Sequence, residues 1–247
     1  MGPICANGLL HAAAELRGEA VQRLGDGVAG RNVVITGAGV VGVLTALLAV
    51  QHGAREVVIA DPDPDRLATA QALGLDVVDQ RRTELWRTCR ERWVHGRGDR
   101  GADLVLQCRG RAEVLHEALR TLRPQGVVID LAFYQSGASE LRLGEEFHHN
   151  GLTVRCAQIA RVPRGLAGPW NRRRLAEETA RLLTARGEDL LRHLVTHVVP
   201  LAQGPEIVTA LARREVAARQ VVFTFVGSGA AGRVPTGRPA ERRPPAG

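Results

Sequence analysis

Lysine is missing from this chain, and all 33 of its basic residues are arginine. No lysine Schiff base and no lysine-assisted tyrosine is therefore available for covalent or proton-transfer chemistry. Aromatic residues make up only 3% of the sequence, so the formal charge of +7 is not accompanied by side chains that stack on bases. The arginines are spread along amphipathic segments and the C-terminal tail, and no nucleic-acid partner is expected. Cysteine is also scarce. Cys5, Cys89, Cys108 and Cys156 lie far apart without a Cys-x-x-Cys spacing, so neither a zinc ribbon nor a disulfide framework is indicated and a reducing cytoplasm is the expected location. The first residues lack a basic segment followed by a sustained apolar run, so no signal peptide is expected. Val33 to Val50 is 18 residues without a charge, near the lower limit for a membrane span. Three glycines between 37 and 42, and a strand-like run passing into a helix-like one, make it a buried strand–helix unit instead, and no membrane partner is expected.

That same segment is the most informative part of the chain. The β-branched run Asn32-Val-Val-Ile-Thr flows into Gly37-Ala-Gly39-Val40-Val41-Gly42 and then an apolar helix. Each glycine has a physical task in a dinucleotide site. Gly37 makes the tight turn, Gly39 lets backbone amides approach a pyrophosphate, and Gly42 lets the helix pack against the strand. The diphosphate would rest on the positive end of the helix that begins at Val40 and Val41. A second apolar strand, Glu56-Val-Val-Ile-Ala, closes on Asp61, about 20 residues on, where a carboxylate accepts from ribose hydroxyls and repels a 2′-phosphate. NAD is thereby favoured over NADP.

Beyond Asp61, periodicity alternates strands and helices, which predicts an α/β fold with a parallel sheet covered on both faces. A helix is expected from Ile4 to Leu24. Pro62-Asp63-Pro64-Asp65-Arg66 supplies a cap, a first-turn proline and an early acid for a helix reaching Leu73. Further strands are expected at Leu75 to Asp79, Ala102 to Cys108, Gly126 to Leu131 and Leu152 to Cys156. Helices are expected at Arg82 to His95, Arg111 to Leu122 and Arg172 to Arg186. Val195 to Leu201 and Gln220 to Val226 are strand-like, flank a helix through Ile207 to Ala212, and have no place in the six-stranded sheet. From Gly227 the chain is nearly devoid of apolar side chains and reads as a disordered tail.

The order of these parts resembles the cofactor-binding half of the medium-chain dehydrogenase/reductase family, which includes the zinc-type alcohol dehydrogenases. The likeness spans most of Pro3 to Val226. It rests on the glycine turn, Asp61 and Arg66, and on Ala102-Asp103 leading to Cys108-Arg109-Gly110. It rests also on Leu122-Arg-Pro-Gln-Gly126-Val-Val-Ile, on Phe147-His-His-Asn-Gly-Leu-Thr-Val-Arg, and on Leu194-Val-Thr-His-Val-Val-Pro-Leu201. The resemblance implies a doubly wound six-stranded Rossmann sheet at residues 25–194, a leading helix at residues 1–24 and a C-terminal strand–helix–strand return at residues 195–226, followed by the tail at residues 227–247. It implies that Arg66 lies against the adenosine ribose, and that the backbone of Cys108, Gly110, Leu131 and Ala132 lines the nicotinamide side.

Family members also carry an N-terminal barrel-like domain that supplies most zinc ligands and much of the substrate pocket, and this chain begins after it. Cys5 falls where some members place a zinc ligand. One thiolate cannot hold a catalytic zinc, which needs three protein ligands and an open position, so zinc is not expected in this chain alone. The expected activity is NAD-dependent hydride transfer between nicotinamide and an alcohol or carbonyl of a small-molecule substrate, incomplete without that domain. The alternative is a non-catalytic NAD-binding module or partner subunit. Either way, a homo-oligomer or a separately encoded barrel-domain partner is expected to cover the return segment. No catalytic acid or base is identified: with Tyr134 as sole tyrosine and no lysine, the short-chain dehydrogenase mechanism is excluded. His148 and His149, placed near the carboxyl side of the sheet on an expected loop, read more simply as solvated residues.

Overall fold

A computed structural model of the chain describes residues 1–225. The proposed tail from Gly227 lies outside the described residues. Residue contacts divide the chain into two units, Met1–Gly187 and a second beginning at Glu188.

The first unit opens with helix α1 (Gly2–Arg17) and a short 3-10 turn at Leu24–Gly27. It continues as β1 (Asn32–Thr36), α2 (Val40–Gln51), β2 (Glu56–Asp61), α3 (Pro64–Ala72), β3 (Asp76–Asp79) and α4 (Leu85–Arg92). A small antiparallel pair, β4 (Val94–Gly96) and β5 (Asp99–Arg100), precedes β6 (Ala102–Gln107). Then come α5 (Ala112–Thr121), β7 (Leu122–Asp130), α6 (Glu146–His149), β8 (Thr153–Cys156) and α7 (Arg172–His193), which crosses the unit boundary.

The six main strands form one sheet in the order β3-β2-β1-β6-β7-β8, every pairing parallel. This is the doubly wound arrangement, with strand order reversing between β1 and β6. All five residues of β1 are buried, as a central parallel strand covered on both faces requires. On one face Val34, Val58, Val105 and Val128 pack with Leu115, Leu119, Cys89 and Trp93 from the α4–α5 side. On the other, α1 packs closely against the 3-10 turn: a Cβ on Gly27 would lie 2.5 Å from the Ala13 backbone nitrogen, so only glycine fits there.

Three local departures from the sequence expectation have identifiable causes. α1 ends at Arg17 instead of reaching Leu24, because Gly18 turns to φ 57°, a left-handed stop. The helix expected to reach His95 stops at Arg92, because Trp93 adopts an extended backbone and drives its ring into the core at 3% exposure. Gly98 (φ 76°) then closes the β4–β5 hairpin. β7 begins at Leu122, not Gly126. Gln125 (φ 60°) and Gly126 bulge out of register, so that Ala102 pairs with Leu122 but Leu104 with Val127.

In the second unit, β9 (Val195–Pro200) and β10 (Gln220–Thr224) pair in parallel around α8 (Gly204–Ala212). The strands that had no place in the large sheet thus satisfy each other along one edge. Val198, Leu201, Val208, Val222 and Phe225 remain exposed. No helix among the described residues is long and apolar enough to cross a membrane.

Candidate dinucleotide crevice

Gly37 takes φ 98°, a conformation that L side chains rarely adopt, and its amide donates to the Ala60 carbonyl at 2.7 Å. The next amide, Ala38, donates to Asp61 Oδ2 at 2.8 Å. The turn after β1 is thus held to the end of β2 by two bonds. Gly39 caps α2, whose first helical bond runs from the Val43 amide to the Gly39 carbonyl at 2.9 Å. The amides of Val40, Val41 and Gly42 therefore precede the helical ladder, at the positive end of a 12-residue helix. A Cβ on Gly39 would meet nothing within 4 Å, whereas one on Gly42 would stand 1.7 Å from the Gly37 carbonyl oxygen. The first glycine leaves open space above the amides; the second lets the helix touch the turn.

Asp61 is only 1% exposed. Its Oδ1 accepts from the Asp63 amide at 2.8 Å, so both carboxylate oxygens hold backbone donors. A carboxylate offers about four lone-pair positions, which leaves two for a ribose diol. Arg66 lies alongside, with Nη1 3.8 Å from Asp61 Oδ2 and Nε 3.5 Å from Asp63 Oδ2, and Asp63 caps α3 by accepting from the Asp65 and Arg66 amides.

Along the same rim, the carboxyl ends of β1, β6 and β7 are laced together. The Cys108 amide donates to the Thr36 carbonyl and the Leu131 amide to the Gln107 carbonyl, each at 2.9 Å. A Cβ on Gly37 would lie 3.2 Å from Arg109 Cβ, which brings the loop after β6 against the glycine turn. Gly110 admits no side chain either, since its Cβ would stand 2.1 Å from the Phe133 carbonyl oxygen. Leu131 and Ala132 are half-buried beside it and Phe133 is exposed. Cys108 is half-buried, and desolvation by burial pushes its thiol pKa up.

Gly37, Gly39, Val40, Val41, Gly42, Asp61, Arg66, Cys108, Gly110, Leu131 and Ala132 thus gather at one end of the sheet, where the strand order reverses. Beneath them runs a polar network that sequence reasoning missed. Thr36 Oγ1 donates to Gln107 Oε1, and Gln107 Nε2 donates to the Arg109 carbonyl at 2.8 Å and to the Tyr134 hydroxyl at 3.4 Å. Tyr134 is hydrogen-bonded in turn to Asp130, whose pKa is raised by burial and whose Oδ1 accepts from the Ala132 amide at 3.0 Å. One signal was available: Thr36, Gln107 and Asp130 are each the polar residue that ends an apolar strand.

His148 and His149 do not join this rim. Both belong to α6, which turns directly into the amino end of β8, and the neighbouring Asn150 carbonyl accepts from Gln125 at 2.7 Å, on the early part of β7. They lie at the amino end of the sheet, a correction to the carboxyl-side expectation. Cys5 sits in α1 with Sγ 3.4 Å from the Val41 carbonyl, fully buried, and burial pushes its thiol up to about 11. Among the described residues no group of three or more His, Cys, Asp or Glu could hold a metal ion, so the residues around Cys5 do not fit a catalytic zinc.

A doubly wound sheet with a glycine turn at its switch point defines a dinucleotide-binding-type α/β protein. Comparison makes this specific: residues 40–165 match the family described as zinc-binding dehydrogenase, and the chain belongs to that family. The chain is similar to D-guloside 3-dehydrogenase of Shigella flexneri, at 29% identity over 204 residues, covering 82% of this chain and 55% of that protein. Solved structures share the fold. An alcohol dehydrogenase from Thermotoga maritima superposes with a TM-score of 0.66 at 22% identity, covering 90% of this chain and 55% of that one. A zinc-binding dehydrogenase from Sinorhizobium meliloti bound to NADP gives 0.61 at 22% identity, with 90% and 57% covered. The chain spans about half the length of the relatives it matches.

Proposed function

We propose that the chain binds NAD across the crevice and forms the cofactor half of an alcohol-dehydrogenase-type oxidoreductase. In this reading the amides of Val40, Val41 and Gly42 hold the pyrophosphate, Asp61 and Arg66 hold the adenosine ribose, and Cys108, Gly110, Leu131 and Ala132 line the nicotinamide side. Nicotinamide supplies the hydride chemistry; the chain's own residues bind it, orient it and exclude water from one face. The observation that carries the reading is the pairing of Gly39 and Gly42. One offers empty space at a helix N-terminus where an anion fits, and the other has no room for a methyl group. The similarity to D-guloside 3-dehydrogenase favours a secondary alcohol of a sugar-like molecule as the substrate class.

The residues around Cys5 favour a second arrangement in which this chain does not complete the reaction alone. Its thiol is engaged by α2 and has no partner ligands among the described residues, so the catalytic group would come from a barrel domain supplied by a partner, or the chain would act as an NAD-binding module. Fluorescence titration of the purified chain with NADH and NADPH separates these readings, followed by alcohol oxidation assayed with and without a barrel-domain protein. Saturable NADH binding, tighter than NADPH, with turnover only in the presence of the partner is the expected result. Absence of binding by either dinucleotide up to millimolar concentration would refute the cofactor assignment.

A further inference from the structure

At the opposite end of the sheet, away from the crevice, the amino ends of β2, β1, β6 and β7 surround two adjoining recesses. One, of about 280 Å³, is lined by Arg31, Arg55, His95, Arg123 and the carboxylate Asp103. The other, of about 530 Å³, shares Arg31, Asp103 and Arg123 with it and adds Arg97 and Asp99. The backbone brings two of these arginines side by side, because the Arg55 amide donates to the Arg31 carbonyl at 2.8 Å.

The carboxylates in the neighbourhood are already committed. Arg123 grips Asp99 through both Nε and Nη2 and reaches Asp103 Oδ1 at 2.8 Å, and this contact holds the Asp99 carboxyl below its ordinary range. Asp103 Oδ2 accepts from the Asn32 amide at 2.8 Å. Glu56 is taken by Arg92 Nε at 2.7 Å. Arg31, Arg55 and Arg97 are left without a carboxylate among the described residues, in contrast to Arg66, Arg81, Arg87, Arg92, Arg120 and Arg155, each of which has one. His95 turns Nε2 to the Gly101 carbonyl at 3.0 Å, which fixes its ring at the wall of the smaller recess.

Arg31 lines both recesses, Arg55 the smaller and Arg97 the larger, so that positive charge exceeds the carboxylates in each; such a surplus attracts anions, and guanidinium forks match phosphate oxygens in pairs. The two recesses together exceed what a single phosphate fills. We propose that this amino-end recess binds a small, multiply charged phosphorylated molecule through Arg31, Arg55 and Arg97. The site is separate from the dinucleotide crevice and does not depend on the cofactor reading.

The test uses pyrophosphate as the probe, titrated calorimetrically into the full chain at low ionic strength. Replacing Arg31→Gln and Arg55→Gln together should weaken binding tenfold or more while leaving the thermal midpoint in place, because neither side chain has an ion-pair partner to lose. Exchange of two exposed arginines elsewhere, Arg164→Gln with Arg172→Gln, should change affinity less than twofold. The proposal is overturned if the first pair binds pyrophosphate as tightly as the parent, which would assign the probe to the α2 terminus. It is equally overturned if both pairs weaken binding alike, or if a short DNA duplex binds through Arg31 and Arg55 more tightly than pyrophosphate does.

Discussion

A methyl group is the smallest probe of the crevice, and two glycines should answer it in opposite ways. Gly39→Ala meets no atom within 4 Å and keeps an ordinary φ of −74°. Its cost to stability should stay within about 1 kcal/mol, the scale of an N-cap change, while NADH affinity falls at least tenfold, measured by fluorescence titration. Gly42→Ala forces its new carbon against the Gly37 carbonyl at 1.7 Å. Urea unfolding should register a loss of at least about 1–3 kcal/mol, the usual penalty of overpacking. Asp61→Ala belongs between them. It removes the acceptor of the Ala38 and Asp63 amides, costing about 1–3 kcal/mol for the orphaned donors, and it should also narrow the preference for NADH over NADPH. Thiol reactivity reports on the same scale: exposed Cys156 should react with a disulfide reagent first. Cys5 and Cys89, buried and pushed up to about 11 and about 12, should react only on unfolding.

At the scale of elements, α1 is tied to β8 and the loop beyond it by a small polar cluster. Asn7 Nδ2 donates to the Gln158 and Arg161 carbonyls, His11 Nε2 lies 3.0 Å from the Arg161 carbonyl, and Arg155 bridges His11 Nδ1 and Glu15. That geometry requires a neutral imidazole, and burial accordingly lowers the His11 pKa from its ordinary 6.5. Unfolding restores the ordinary value, so the unfolded chain binds more protons in the window below about 6.5, and stability falls as pH drops through it. The urea midpoint should decrease between pH 7.5 and pH 5.5, and His11→Gln should make that decrease shallower; an unchanged slope would remove His11 from this role. His52 is shifted in the same direction by burial beside Glu178, so the slope is not abolished.

These elements also show what could be read from the chain beforehand. The β1–α2–β2 unit was legible because β-branched runs, a glycine turn and a strand-ending acid are all local signals. The β4–β5 hairpin was not, because Arg82 to His95 keeps helical periodicity while the tertiary pull on Trp93 ends the helix early. Nor was the network of Thr36, Gln107, Asp130 and Tyr134, whose members meet only through sheet register. The burial of Asp61 was also hidden: spacing located the acid but not the two amides it holds.

For the molecule as a whole, contacts separate Met1–Gly187 from the chain that follows, and every residue proposed to touch the cofactor lies in the first unit. A fragment ending at Gly187 should therefore unfold cooperatively and bind NADH within a few-fold of the full chain, by denaturant titration and fluorescence. The second unit offers a two-stranded parallel sheet with exposed Val198, Val222 and Phe225. Sheets so small are marginal in isolation, and apolar surface of this kind marks a contact site. Sedimentation of the full chain should show self-association, or heterologous association once a barrel-domain protein is added.

The bonds from Gly37 and Ala38 to the end of β2 have a kinetic corollary. A turn already fastened by two bonds needs no rearrangement before a dinucleotide can dock, so its arrival should be governed by diffusion and charge, in a single exponential phase without a slow isomerisation. Cutting the Asp61 fastening should convert that simple encounter into one that waits for the loop to re-form.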